Sequence, residues 1–368
     1  MGLNTIFGDR FRGKKIFLTG HTGFKGSWLG IWLQMLHADI KGYSLAPHDS
    51  SLFNLIKDKL TFESVIADIR DEDTLEKEIL SFRPDFIFHL AAQPLVIESY
   101  RYPVETFNTN ITGTVNLLNA VRKLQNKCSI VIITTDKVYQ NKELSAPYTE
   151  IDALGGSDPY SASEAATEIV IHSFRQSFFN PDKYSQHNKA VASARAGNVI
   201  GGGDFAKDRI IPDYVRSVQN NAILKIRNPK SVRPWQHILE PLSGYLQLAK
   251  MLDEHPFKYS SAFNFGPDSN DILTVRDLIN ESIKVFQKGA FEIEQNDANF
   301  HEAGLLTLDI SKAKKELNWV PKYSSLEAIA LTMKWYKEVL LDKQDAFETC
   351  ENDILSFTNQ LKVADELC

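Results

Sequence analysis

The segment GHTGFKG, with glycines at positions 20, 23 and 26, constrains the fold more than any other stretch of the sequence. An apolar run, KKIFLTG, precedes it, and residues 24–38 follow with apolar side chains at helical spacing. Glycines at these intervals allow a tight turn from strand to helix and a close approach of the backbone to a diphosphate. We therefore predict a dinucleotide site at the start of the helix, formed by Gly20, Gly23, Phe24 and Gly26.

Strand-like apolar runs alternate with helical patterns through the first part of the chain. This order predicts an α/β fold with a Rossmann-type, doubly wound parallel sheet. We expect an NAD-binding domain at 10–198, to which a later segment, about 235–265, returns. Residues 199–234 and 266–345 then form a smaller, mixed α/β domain for the substrate, and 346–368 form a C-terminal tail.

The composition indicates a cytoplasmic enzyme. The net charge of -6 disfavours nucleic acid as a partner, because nucleic acid selects strongly basic surfaces. Cys128, Cys350 and Cys368 lie far apart and lack metal-site spacing, so we expect neither a disulfide framework nor a bound metal. No apolar run is long enough to suggest a membrane span.

The sequence determines the adenosine end of the dinucleotide site less well. The acidic residue that usually ends the second strand and holds the ribose is missing from GYSLAPHD, and no arginine stands there for a 2′-phosphate. The choice between NAD and NADP therefore stays open at this point. Asp68 and Ile69 end the third strand, where a carboxylate can meet the adenine amino group, although Asp68 fits a helix or turn cap equally well. Leu90, Ala91 and Ala92 close the fourth strand and are also expected beside the cofactor.

Three further segments are expected to meet at the carboxyl edge of the sheet, where such folds bind ligands. HLAAQP follows the fourth strand, TTDK follows the fifth, and a helix carries Tyr160. Together with GHTGFKGSW, DPYSAS, RAGNVIGGGD and RPWQHILEPLSGY, they resemble motifs of the extended short-chain dehydrogenase/reductases. Among these the chain is most similar to the CDP-glucose 4,6-dehydratases, from about residue 10 to about residue 340.

The resemblance implies a redox-neutral, NAD-dependent dehydration of CDP-glucose to CDP-4-keto-6-deoxyglucose. Tyr160 would be the base for the 4-hydroxyl, and Thr135 would hydrogen-bond the 4-oxygen. Asp136 would protonate the departing 6-hydroxyl, which requires a protonated carboxyl. Lys137 stands where many dTDP-glucose dehydratases carry the glutamate that removes the C5 proton. The alternative for Asp136 and Lys137 is a salt-bridged loop.

The resemblance also suggests contacts to the sugar nucleotide. Its diphosphate would be bound by an arginine fork and neighbouring amides, although each of these groups could instead form a surface contact. The candidate residues are Gln93, Asn198, Arg209 and Arg233. The family further implies a homodimer or higher oligomer, with the helices at 110–124 and 160–174 pairing across the interface. Its products usually serve deoxysugars of surface polysaccharides such as lipopolysaccharide O-antigen.

One position departs from the family pattern. The family carries a lysine four residues after the tyrosine, where it binds the nicotinamide ribose and lowers the tyrosine pKa; this chain has Glu164. Residues at i and i+4 share a helix face, so a carboxylate at 164 raises the pKa of Tyr160. We take a separation of about 6 Å between the charge at 164 and the Tyr160 oxygen, and an effective dielectric of about 20. Replacing a positive by a negative charge then disfavours the tyrosinate by about 5 kcal/mol, which raises the Tyr160 pKa by about four units.

Three interpretations stay open. The chain is an active dehydratase with an altered tyrosine partner, a disabled homologue that keeps fold and binding, or another nucleotide-sugar enzyme such as a 4-epimerase. The epimerase is disfavoured because it needs no acid such as Asp136 to expel a hydroxyl. On the electrostatic argument we expect low activity, and Glu164→Lys should raise turnover at least about 100-fold. A protonated Glu164, or a compensating Lys137, would reduce that gain.

Overall fold

The computed structural model describes residues 7–142, 146–226, 228–294 and 306–365. In this part of the chain the strands, in order, are β1 (Lys15–Thr19), β2 (Asp39–Ser44), β3 (Glu63–Ile66), β4 (Phe86–His89), β5 (Cys128–Thr134), β6 (Lys189–Ala196), β7 (Val199–Ile200), β8 (Leu224–Ile226), β9 (Val232–Arg233), β10 (Gln236–His237), β11 (Ala262–Phe265), β12 (Leu273–Thr274) and β13 (Phe291–Ile293).

The helices lie between and after these strands. They are α1 (Phe24–Met35), α2 (Leu52–Ile56), α3 (Glu72–Phe82), α4 (Val96–Arg101), α5 (Pro103–Phe107), α6 (Gly113–Lys123), α7 (Pro159–Ser177), α8 (Tyr184–His187), α9 (Ile210–Gln219), α10 (Leu239–Glu254), α11 (Pro256–Tyr259), α12 (Val275–Phe286), α13 (Ser311–Leu317), α14 (Ser325–Tyr336) and α15 (Ala346–Asp365).

The large sheet has seven parallel strands in the order β11-β6-β5-β4-β1-β2-β3. The order reverses direction between β1 and β4, which opens a crevice at the carboxyl ends of these strands. Side chains alternate between the two faces: Ile16 and Leu18 of β1 enter one apolar core, while Phe17 enters the other. Burial on both faces explains the near-continuous apolar runs, and the predicted doubly wound α/β class is confirmed.

Beyond β6 the architecture becomes mixed. Three small sheets, β7 with β10, β9 with β12 and β8 with β13, accompany α9 and α12–α14. β11 instead leaves this region and pairs with β6 at the edge of the large sheet. In the described residues, no helix combines the length and the apolar character needed to cross a membrane.

Two helix boundaries differ from the sequence-based expectation. RPWQHILE, whose pattern favours short strands or an extended segment, includes Arg233 of β9 and the whole of β10, but its last two residues, Leu239 and Glu240, already belong to α10. The helix in DISKAKKELNWVP ends at Leu317, before Pro321, because Asn318 adopts a left-handed conformation with φ 52°. Thr274 caps the start of α12, and Asp277 completes a capping box.

α15 packs against the outer side of α1 and α2. The Phe357 ring meets the Trp32 ring edge to face, with centroids 5.9 Å apart. Lys59, just after α2, forms ion pairs with Asp345 and Glu348 at 3.0 Å. The predicted C-terminal tail is thus helical over Ala346–Asp365 and covers the helix that follows the glycine loop.

Candidate active site

The glycine-rich loop leaves no room for side chains at two of its glycines. A Cβ at Gly20, whose φ is +73°, would lie 2.8 Å from the amide nitrogen of Ala91. A Cβ at Gly26 would lie 2.1 Å from the Gly20 carbonyl oxygen. The loop therefore packs directly on the backbone after β4 and on its own helix.

The start of α1 is open to a negatively charged group. Gly23 precedes the helix and offers no side-chain cap, and the first turn contains no acidic residue. The Thr19 hydroxyl ties the loop to the next strand by accepting from the amides of Leu90 and Ala91, at 3.1 and 3.2 Å. Free amides and a positive helix end fit a dinucleotide diphosphate. Phe24 is half-buried, close to Gly201.

At the adenosine end, Asp68 and Ile69 are occupied within the protein. Asp68 accepts from the Arg70 amide at 2.8 Å and pairs with its guanidinium at 2.6 Å, so it caps its own turn. Ile69 is buried, in the space where Gly113 lacks a side chain. Where the acid of β2 is missing, the hydroxyls of Thr22 and Ser44 meet at 2.8 Å.

The segment after β5 places Thr135, Asp136 and Lys137 at one end of the sheet. Asp136 is buried, and its carboxylate accepts from Thr135 Oγ1 at 2.9 Å and from Asn198 Nδ2 at 3.1 Å. The Lys137 amino group lies 5.9 Å from the centre of the Tyr160 ring. Among the described ion pairs none joins Asp136 to Lys137, so the alternative of a salt-bridged loop is not observed.

Tyr160, at the start of α7, is buried beside these residues. Burial raises the Tyr160 pKa well above its usual value, the nearby Glu164 raises it further, and a hydrogen bond with Thr135 lowers it. Glu164 is only 4% exposed. Burial raises its pKa to about 8, with a further contribution from Glu168 and an opposing one from Lys25. The carboxyl at 164 is therefore mainly neutral near pH 7.

The loop after β4 is tied to the helix that carries Tyr160. The Gln93 amide group donates to the Leu95 carbonyl at 3.1 Å and to Thr106 at 2.9 Å, and its amide oxygen accepts from the Leu95 backbone. Asn110 accepts from the Gln93 backbone and donates to Ser163 of α7. The Gln93 side chain thus shapes this loop, and its contact with substrate stays a prediction.

The other three substrate candidates lie in different surroundings. Asn198 reaches Asp136, as described above. Arg209 pairs with the buried Asp204 at 2.9 Å, and its charge also interacts with Tyr160. Arg233, in β9, donates to the Val232 carbonyl, and the adjacent Pro234 lines an opening that reaches Asp136. Direct phosphate contacts by these residues stay predictions.

Three neighbours of the site were not among the predicted residues. Asp204 pairs with Arg209, and Gly197 packs on Asp136. Lys25 is the third: a lysine in a glycine-rich loop suggests a phosphate contact or an exposed charge, but its charge interacts with those of Arg209, Asp136 and Glu164. Its position directly before Gly26 was the one available signal.

Comparison with known proteins now decides the family. The family profile described as GDP-mannose 4,6 dehydratase matches residues 17–332, most of the chain. The chain belongs to this family. A Salmonella typhimurium protein named CDP-glucose 4,6-dehydratase is 48% identical over 328 residues, which cover 89% of this chain and 91% of that protein. Such similarity places the chain in the dehydratase branch of the extended short-chain dehydrogenase/reductases.

Solved structures of the family share the fold. DesIV, a dTDP-glucose 4,6-dehydratase from Streptomyces venezuelae solved with NAD and TYD bound, superposes with a TM-score of 0.75 at 23% identity, covering 88% of this chain and 97% of that one. A UDP-glucose 4-epimerase from Thermotoga maritima gives 0.74 at 21% identity, covering 89% and 99%. Both chemistries therefore occur on this architecture, and the site has to distinguish them.

Proposed function

We propose that the protein is an NAD-dependent CDP-glucose 4,6-dehydratase that forms CDP-4-keto-6-deoxyglucose. The observation that carries the proposal is the buried Asp136 beside Lys137 and Tyr160 at the carboxyl edge of the sheet. An acid next to the tyrosine is what distinguishes dehydration from epimerisation, because only dehydration must expel a hydroxyl. The 48% identical relative named CDP-glucose 4,6-dehydratase supports both the reaction and the nucleotide.

The glycine loop and the segment after β4 would hold the cofactor. Gly20, Gly23 and Gly26 give the diphosphate access to the α1 amides, with Phe24 and Leu90–Ala92 beside it. Asp68 and Ile69 would border the adenine through the turn that they form. NAD, when bound, would accept the hydride that leaves C4 of the glucose and would later return it to C6.

Tyr160 removes the proton of the 4-hydroxyl in the first step. Thr135 bonds with the Tyr160 hydroxyl and is placed to orient the 4-oxygen as well. Because burial opposes the phenolate, this step needs a positive charge close to Tyr160. The 4-ketone that results makes the proton on C5 acidic.

Lys137 and Asp136 then carry out the elimination. Lys137 removes the C5 proton, and Asp136 gives a proton to the 6-oxygen, so that the C6–O bond breaks and one water leaves. Thr135 and Asn198 hold the two Asp136 oxygens, which fixes the direction of proton delivery. Hydride addition at C6 and protonation at C5 complete the redox-neutral sequence.

The proposal extends to the substrate domain and the assembly. Residues 199–234 and 266–345 would bind the sugar nucleotide, with Gln93, Asn198, Arg209 and Arg233 nearest to it.

The buried, unpaired thiols of Cys128 and Cys350 suit a reducing cytoplasm. The exposed apolar side chains Val104 and Ile169, on α5 and α7, suit a homodimer. The product would feed deoxysugar synthesis for surface polysaccharides.

Mass spectrometry of CDP-glucose incubated with the protein and NAD tests the function. We expect the loss of one water per sugar nucleotide, and Asp136→Asn should abolish it. An unchanged mass with conversion to CDP-galactose would instead identify an epimerase. No conversion of CDP-glucose, together with water loss from another nucleotide sugar, would overturn the nucleotide assignment alone. No reaction by the parent, but water loss by Glu164→Lys, would identify a disabled dehydratase.

A further inference from the structure

A buried ion pair joins the helix of Tyr160 to the central strands. Glu168 lies about two turns after Tyr160 on α7, and Arg195 lies on β6. Arg195 Nη2 donates to Glu168 Oε2 at 2.8 Å, and the two residues are 4% and 2% exposed, respectively. Burying two charges costs free energy unless both are well bonded, so the partners of this pair show which parts of the structure it holds.

The Glu168 carboxylate accepts two further hydrogen bonds, both from hydroxyls. Thr134 Oγ1 donates to one carboxylate oxygen at 2.7 Å, and Ser193 Oγ donates at 2.9 Å to the oxygen that also accepts from Arg195. Although burial opposes a charge here, Arg195 and the hydroxyls hold the Glu168 pKa below its usual value, so the carboxylate is ionised. Thr134 ends β5 and directly precedes residues 135–137, the catalytic segment. α7 is therefore bonded to the residue in front of that segment.

Arg195 reaches the other end of the catalytic segment. Its Nη1 donates to Tyr139 Oη at 2.9 Å, and its guanidinium carbon lies 5.1 Å from the centre of the Tyr139 ring. Tyr139 Oη in turn donates to Asn264 Oδ1 of β11 at 2.6 Å, and the Tyr139 ring stacks on Tyr148 with centroids 5.3 Å apart. Tyr139 follows the catalytic segment by two positions. The ion pair therefore holds this segment at both ends.

We propose that Glu168, through its ion pair with Arg195, sets the position of Tyr160 relative to the catalytic segment. Glu168 is a positioning residue, because it acts through Tyr160 and the segment and takes no part in proton or hydride transfer. The base at 160 and the groups at 135–137 act in turn on one sugar, so their spacing has to be fixed. The inference rests on the proposed dehydratase function, which needs both sets of groups.

The rival interpretation makes the ion pair a stabiliser of the fold with no effect on the reaction. In that case, two variants that each remove one hydrogen bond from the Glu168 carboxylate should behave alike. Under our proposal the effect depends on where the lost donor lies. Thr134 adjoins the catalytic segment, whereas Ser193 lies within β6, away from it in sequence. Glu168 and Arg195 themselves are poor targets, because removing either leaves the other as an unpaired buried charge.

The experiment compares Thr134→Val, which keeps the side-chain shape but loses the hydroxyl, with Ser193→Ala as the matched control. Thr134→Ser retains the hydroxyl and is the conservative variant. Denaturant unfolding measures stability, calorimetry measures NAD affinity, and kcat and KM are measured with CDP-glucose. We expect Thr134→Val to lower kcat at least about tenfold, with KM and NAD affinity changed less than about twofold. Thr134→Ser should restore kcat, and Ser193→Ala should match Thr134→Val in lost stability but not in lost kcat.

Tyr139→Phe tests the other end of the catalytic segment. It removes the hydroxyl between Arg195 and Asn264 but keeps the stacked ring, so we expect kcat to fall at least about tenfold here too. If Thr134→Val or Tyr139→Phe turns over as fast as Ser193→Ala, the ion pair only stabilises the fold and the proposal is overturned.

Crystal structures of the parent and the variants give a test that does not depend on turnover. In the parent, the Thr135 hydroxyl bonds with the Tyr160 hydroxyl. We expect this bond to be broken or lengthened in Thr134→Val and kept in Ser193→Ala. A bond that stays the same in both variants contradicts the proposal. If the parent dehydrates no nucleotide sugar, the proposed function falls, while the structures still decide whether Glu168 positions Tyr160.

Discussion

The Asp136 carboxyl occupies the space that a side chain at Gly197 would need: a Cβ there would lie 2.0 Å from Asp136 Cγ. We predict that Gly197→Ala displaces the acid from its bonds with Thr135 and Asn198. Elimination should slow at least about 100-fold, because misplacing a catalytic group by about 1 Å has effects of that size. Oxidation at C4 should be affected less, so reduced cofactor should accumulate and be visible by absorbance.

Gly155→Ala is the matched control for this prediction. Its Cβ would lie 3.4 Å from Gln140, an ordinary contact, in the segment between β5 and α7 that also carries Asp136. Asp136→Asn should reproduce the Gly197→Ala behaviour with no change in backbone. If Gly197→Ala turns over like Gly155→Ala, the carboxyl does not act from the position described.

The effect of Glu164→Lys should depend on pH. The gain of at least about 100-fold predicted from sequence assumes a full negative charge at 164, but the Glu164 pKa of about 8 leaves little of it near pH 7. Near pH 7 the gain then comes mainly from the added positive charge, about half of the 5 kcal/mol or roughly 100-fold, and we expect it to rise further toward pH 9, where the carboxyl of the parent is ionised. Steady-state rates of both proteins across this range give the ratio; a ratio that stays constant contradicts the titration of Glu164.

Burial of Glu164 should also cost stability as the pH rises. Its pKa is raised from 4.5 to about 8, so the folded protein binds the proton more tightly than the unfolded chain does. Stability is then lost from about pH 4.5 upward until about pH 8, and Glu164→Gln escapes this loss. The variant should gain up to about 3 kcal/mol over the parent at pH 7. Denaturant unfolding at several pH values measures the gain, with the exposed Glu292→Gln as control.

A charge on the exposed apolar face of α5 and α7 should break the proposed dimer. Val104 is 71% exposed and Ile169 is 59% exposed, which is costly for apolar side chains unless they are covered. We expect Val104→Glu with Ile169→Glu to yield monomers in light scattering at micromolar concentration. Ile151→Glu, at a site 95% exposed, serves as control and should leave the assembly unchanged. A parent protein that is monomeric at the same concentration would contradict the proposed dimer.

The sheet was predictable because each of its strands carries its own signal. Strands buried on both faces read as apolar runs, and the glycine loop marks the first crossover. α10 was not predicted, although Leu242, Tyr245, Leu246, Ala249 and Leu252 recur at helical spacing, because Pro241 and Gly244 in its first turns resemble a break between short extended segments. Tertiary contacts with β5 and β6 stabilise it instead.

The active site was predictable only in part, for a related reason. Thr135, Asp136, Lys137 and Tyr160 follow strand ends, and topology brings such positions together. The surroundings of Glu164 depend on Lys25, a residue far away in sequence, and on burial. Sequence spacing alone therefore gave the direction of the Tyr160 pKa shift, whereas its size depends on a protonation state that only the packed structure determines.

Because α15 packs on α1, the apolar face of α1 stays exposed until the C-terminal helix has been synthesised. Trp32, on the helix that follows the glycine loop, is covered by Phe357, which the ribosome adds long afterwards. A nascent chain therefore displays this apolar face to water after its nucleotide loop has already been made. Exposed apolar surfaces of this kind promote aggregation. A chain that stops before α15 would contain the complete cofactor loop, but the apolar face of α1 would stay exposed and aggregation-prone.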